Sequence, residues 1–136
     1  MEKTSPQEEE FLESHGWYSH FIIPEDNEQK WVNFHTHGLP ELYGQLDFQF
    51  VLPIDHNTLH ALTAKLVTRV IKGERFTAGM RVTGIVRKYD VLLVKTTETR
   101  SIKRQVLRVI LPDKDGNLDK ATTSGIFAAQ FQELPD

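Results

Sequence analysis

Hydrophobic and polar positions alternate cleanly over residues 46–52. Leu46, Phe48, Phe50 and Leu52 fall on one face of an extended chain, and Asp47 and Gln49 on the other. A period of two is the signature of a strand. The period then changes. From Asp55 to Gly73, Leu59, Leu62, Leu66, Val67, Val70 and Ile71 recur at helical spacing, while Lys65, Thr68, Arg69 and Lys72 take the opposite side. Such a stripe predicts an amphipathic helix that must bury one side. Asp55 suits its N-cap and Gly73 its stop. Runs rich in aromatic and β-branched residues predict strands at 17–23, 31–37, 81–87, 90–97 and 103–111. Residues 38–45 read as a loop. Ser5, Pro6 and Glu8 have the spacing of a capped helix start, which predicts a short acidic helix ending near Gly16. Residues 121–134 follow neither period. Phe127 and Phe131 predict a docked segment there, read as a short strand.

The predicted architecture is α+β: a mostly antiparallel sheet of five to six strands, one long helix packed on one face and a short N-terminal helix. A helix across one face of such a sheet is a standard two-layer solution. A chain of 136 residues is the size of one domain. The expected division is an acidic N-terminal helix over 1–16, a core over 17–120 and a C-terminal segment over 121–136.

Composition changes this picture only by exclusion. There is no cysteine, so disulfides, thiolate metal sites and a cysteine nucleophile are excluded. The acidic, polar start has no secretory character, and no apolar run approaches the length of a membrane span, which predicts a cytoplasmic protein with no membrane partner. Net charge is -3, but it is unevenly spread. Residues 1–30 carry eight acidic and two basic side chains, whereas 81–108 carry eight basic and two acidic ones. The basic set is Arg81, Arg87, Lys88, Lys95, Arg100, Lys103, Arg104 and Arg108. Few aromatics interleave, so nucleic-acid binding is not expected. A protein interface, with a partner or a second copy, is the favoured reading of this set, and charged protection of strand edges is the other.

Three patterns offer chemistry. His35 and His37 are two apart on a predicted strand, so both point to one face and could hold one divalent metal ion. Glu41 and Asp47 could supply carboxylates, and His20 could sit across from the pair. The plain alternative is a wet sheet face carrying Trp31, Asn33, His35 and His37. His56 and His60 are four apart on the long helix, but Asn57 stands where the zinc motif needs Glu. With Trp31 they could line a helix–sheet pocket for a small ligand. Asp113, Asp115, Asn117 and Asp119 alternate around Gly116, but the glycine is misplaced for a calcium loop, and Asp-Gly reads as a turn. No nucleophile motif or phosphate loop is present.

The segments His35-Thr36-His37-Gly38-Leu39 and 45–53, the long helix ending Gly73-Glu74 and the turn Pro112-Asp113-Lys114-Asp115-Gly116 occur in an order that resembles the bacterial family catalogued as domain of unknown function 4262. The resemblance covers about residues 17–120 and implies a single domain. It carries no activity, because none is established for that family. The sequence alone therefore favours a non-enzymatic binding or self-associating module, a homodimer among its forms, with no obligate cofactor. A metal-dependent hydrolase built on His35 and His37 is the alternative, and a small-ligand binder the third reading.

Overall fold

The computed structural model describes residues 16–22, 32–98 and 104–131. The expected N-terminal helix, Trp31, Arg100 and Lys103 lie outside these residues. The elements are β1 (Tyr18–Ile22), β2 (Asn33–His37), α1 (Leu39–Tyr43), β3 (Asp47–Val51), α2 (His56–Ile71), β4 (Arg81–Val82), β5 (Val91–Glu98), β6 (Arg104–Ile110) and a 3-10 helix, Gly125–Phe131. The six strands form one sheet in the order β1-β2-β3-β6-β5-β4.

The sheet is mixed rather than wholly antiparallel: four of its five pairings are antiparallel, as expected of most of it, and one is parallel. At its centre β3 and β6 run parallel, with Phe48 opposite Leu107. The chain passes through α2, β4 and β5 between them, so β6 returns beside β3 after a crossover. Alternation within a strand reports which face is buried but not the direction of its neighbour.

Phe34, Phe48, Phe50, Val91, Leu93, Leu107 and Val109 supply one face of the sheet, and Leu59, Leu62, Leu66, Val67 and Val70 of α2 join them in one core cluster. Asp55 caps α2, accepting from the backbone N–H and the hydroxyl of Thr58. Removing this much apolar surface from water is the main drive to fold, at about 25 cal/mol per Å².

Three expectations are corrected. Residues 38–45 contain the one-turn helix α1, bracketed by Gly38 (φ 100°) and Gly44 (φ 68°), both left-handed. A Cβ at Gly38 would meet the Gly16 carbonyl and the Trp17 Cα at contact distance, 3.4 Å each, so it is the left-handed backbone that favours glycine there. The strand expected at 81–87 is only Arg81–Val82, because Gly84 (φ 83°) and Lys88 (φ 75°) turn the chain out of extended geometry. The segment after residue 121 forms a 3-10 helix rather than a strand.

The other face of the sheet carries buried Val51, Val106 and Ile110, and beside them a polar stretch that is also buried. Asn33, His35, Gln49 and Arg108 lie on it, each at most 3% exposed. Gln130 of the 3-10 helix meets it, accepting from Arg108 through its backbone carbonyl (3.2 Å).

Candidate metal centre

β1 is an edge strand, and its register puts His20 opposite His35 and Tyr18 opposite His37. Because side chains alternate, all three imidazoles share the outer face, away from α2. One ring nitrogen from each of His20, His35 and His37 lies within 4.8 Å of the other two. Among the described residues this is the only such cluster of three or more metal-ligating side chains. Nitrogens on a tetrahedral zinc stand about 3.4 Å apart, given Zn–N bonds of about 2.1 Å. Small side-chain rotations would therefore close the three rings onto one ion.

The rings differ in setting. His20 is exposed, His37 half-buried and His35 buried. Tyr18 stacks on His37, with centroids 5.0 Å apart, and the His20 ring meets His37 edge-on at 4.6 Å. His35 Nδ1 lies 3.1 Å from the side-chain oxygen of Asn33. That oxygen only accepts, so Nδ1 is the donor of this contact, and in the neutral ring Nε2 would be the ligand atom. Asn33 is held in turn. Its oxygen also accepts from Gln49 Nε2 (3.4 Å), and Gln49 Oε1 accepts from Arg108 Nε (2.9 Å). A buried polar relay thus runs from the 3-10 helix through Arg108, Gln49 and Asn33 to His35. It is the kind of outer shell that fixes the tautomer and orientation of metal-binding histidines.

The expected carboxylates do not join the cluster. Glu41 is exposed on α1. Asp47 is buried and engaged elsewhere: its carboxylate accepts from the Thr36 hydroxyl (2.7 Å), the Leu39 N–H (3.3 Å) and Arg104 (2.6 Å). Burial pushes its pKa up, against the lowering effects of Thr36, Arg104 and the Leu39 N–H. Arg104 also donates to the Thr36 carbonyl (3.0 Å), locking the strand between the two histidines.

His56 and His60 lie on the opposite side of the sheet. His56 meets the rings of Phe21 (5.3 Å) and Phe34 (5.7 Å), and His60 stacks on Trp17 (6.1 Å) and His56 (5.9 Å). They pack at the helix–sheet boundary, and neither lines the cleft described below. The basic set is also broken up. Arg81, Arg87 and Lys95 are exposed, but Arg104 pairs with Asp47 and Arg108 is 3% exposed within the relay. Arg104 and Arg108 are therefore not part of an open basic surface.

Alternation placed Asn33 on the face of His35 and Gln49 on the polar face of its own strand, and His20 was expected as a residue able to sit across from the pair; the pairing that joins these strands was not legible. Gln130 had no signal, because its segment has no period. Compared with family models, curated proteins and solved structures, the chain matches none. The resemblance to the family of unknown function therefore rests on its sequence motifs. Among the described residues no helix is long and apolar enough to cross a membrane.

Proposed function

We infer that this chain binds a divalent transition-metal ion through His20, His35 and His37. The observation that carries this reading is the convergence of three imidazole nitrogens within 4.8 Å on one sheet face. An all-imidazole donor set suits zinc, copper, nickel or iron and disfavours magnesium and calcium, which need oxygen. Three protein ligands rather than four is the count of catalytic zinc sites, which keep a position for water or substrate. The exposed His20 side is where that position would open. The chemistry such an ion supplies is polarisation of a bound oxygen or activation of water, so metal-assisted hydrolysis is the reaction class that fits. With Glu41 exposed and Asp47 tied to Arg104, neither stands ready as a general base.

The test is titration of metal-stripped protein with cobalt(II), followed by visible absorption, and with zinc by calorimetry. One equivalent should bind with the intense bands of a four-coordinate site. His20→Ala and His37→Ala should each abolish those bands while leaving the far-ultraviolet dichroism unchanged. Asn33→Ala should weaken binding about 10–100-fold by releasing His35, the usual effect of removing an outer-shell partner. Failure of the wild type to bind one equivalent, or full binding by a His20→Ala, His37→Ala double variant, would overturn the assignment.

A further inference from the structure

A cleft of about 760 Å³ opens where α2, the irregular segment 86–89, the chain leaving β6 and the 3-10 helix meet. Its volume is in the range of small-molecule sites. None of the three clustered histidines lines it. Its inner wall is apolar: Ile54, Leu62, Val86, Leu111 and Phe127, all buried or half-buried and all packed into or against the core. Three exposed cations, Arg87, Lys88 and Lys114, ring the mouth.

Only one acid, Asp113, lines the cleft, and its charge is already used. Its carboxylate accepts from the backbone N–H groups of Asp115 (3.0 Å), Asn117 (3.0 Å) and Ser124 (3.2 Å) and from the Asn117 side chain (3.1 Å). Those bonds, the Asn117 N–H first, hold its pKa down at about 2. It is an internal brace for the turn rather than a counter-ion for the rim. Among the described residues no carboxylate forms an ion pair with any of the three rim cations.

The rim is held in an unusual shape. Lys88 is the one described residue other than glycine in the left-handed region (φ 75°), a conformation that costs about 1–3 kcal/mol and clusters at functional sites. The ammonium of Lys88 is carried over the Tyr89 ring (5.3 Å). Tyr89 itself packs against Gly116, where a Cβ would come within 2.7 Å of the ring. The turn that Asp113 braces therefore seats Tyr89, and with it the cationic lip.

We propose that this cleft is a binding site for a small amphipathic organic anion, with its apolar body against Ile54, Leu62, Leu111 and Phe127 and its carboxylate, sulfonate or phosphate head at Arg87, Lys88 and Lys114. An apolar wall alone would select only for hydrophobicity. Three cations around it favour an anionic head over an uncharged one of the same body.

The experiment uses the full chain, isotope-labelled, titrated with octanoate, with naphthalene-2-sulfonate and with 1-octanol as the uncharged match, following backbone amide shifts. Saturable shifts confined to residues 86–89, 111–114 and 127 are expected for at least one anion, with octanol about tenfold weaker or more. The exposed triple variant Arg87→Gln, Lys88→Gln, Lys114→Gln should lose about tenfold in anion affinity and keep its affinity for octanol. The proposal is overturned if neither anion gives saturable shifts at the cleft, if octanol binds as tightly as octanoate, or if the triple variant binds the anions unchanged. Added zinc distinguishes this site from the histidine cluster, since it should shift residues near His20, His35 and His37 and leave the octanoate titration unaltered.

Discussion

Gln45 and Gln130 use the same device, and its removal has a calculable effect. Gln45 is 1% exposed. Its Nε2 donates to the Phe76 carbonyl (3.0 Å), and its Oε1 accepts from the Phe76 N–H (2.8 Å). One side-chain amide thus satisfies both backbone groups of a residue that no strand pairs. Phe76 can then bury its ring against Phe48 (6.0 Å) and beneath the Arg69 guanidinium (5.3 Å). In Gln45→Leu the volume is nearly kept, but a buried donor and a buried acceptor lose their partners. Each loss costs about 1–3 kcal/mol, together about 2–6. The more apolar side chain returns about 1–2 kcal/mol, so the net loss should be about 1–4 kcal/mol. At a urea dependence of about 2 kcal/mol per molar, the unfolding midpoint should fall by about 0.5–2 M. Gln45→Glu provides the control. Its carboxylate can accept from the Phe76 N–H but faces the carbonyls of Phe76 and Leu46, which disfavours ionisation and raises its folded pKa above the free value of about 4.3. The penalty should therefore be small below about pH 4 and grow as pH rises through the folded pKa. A Gln45→Leu variant within about 0.5 kcal/mol of wild type in urea would refute the clamp, since that is the ordinary scatter of a surface change.

Two further predictions follow from the cleft's supporting turn. Gly116→Ala combines a left-handed backbone (φ 84°) with a Cβ 2.7 Å from the Tyr89 ring, whereas Gly84→Ala has φ 83° and open space; both should destabilise in urea, Gly116→Ala by at least about 1 kcal/mol more, and equal losses would show that Tyr89 moves aside freely. Asp113 has a folded pKa of about 2 against an ordinary 3.8, so its stabilisation is complete above about pH 4 and is lost as pH falls towards 2; Asp113→Asn should flatten that limb of the stability–pH profile, and an unchanged limb would remove the brace.

The sequence was most legible where one period ran long. The α2 stripe, the Asp55 cap and the 46–52 alternation each translate a single physical requirement, burial of one face, into residue spacing. It was least legible where long-range pairing decides. The parallel contact of β3 with β6 depends on a crossover of more than fifty residues, of which no local pattern is a record. Gly84 and Lys88 ended the strand expected at 81–87 through backbone conformation, which a hydrophobic run does not encode. At the candidate centre, His35 and His37 were visible because two-residue spacing has one geometric meaning. The rejection of Asp47 was not, because it depends on Arg104, 57 residues away.

The outer sheet face bears on what the protein is for. Asn33, His35, Gln49, Arg108 and Gln130 are all buried and bonded in series. Stability alone does not call for such a face. Burying a guanidinium and several amides costs desolvation that hydrogen bonds only partly offset, and replacing comparable groups by apolar side chains is often neutral or stabilising. The core face a few ångströms away is built in that simpler way, from phenylalanine, leucine and valine. What the polar series provides, and an apolar layer could not, is a fixed acceptor for His35 Nδ1, so that the neutral ring stands with Nε2 as its lone-pair atom. On the proposed metal-site reading, that orientation has a use: His20 and His37, the side chains the hairpin register brings to His35, could share a ligand with it. The same reading joins the relay to the cluster, because the polar layer would aim one of the three imidazoles.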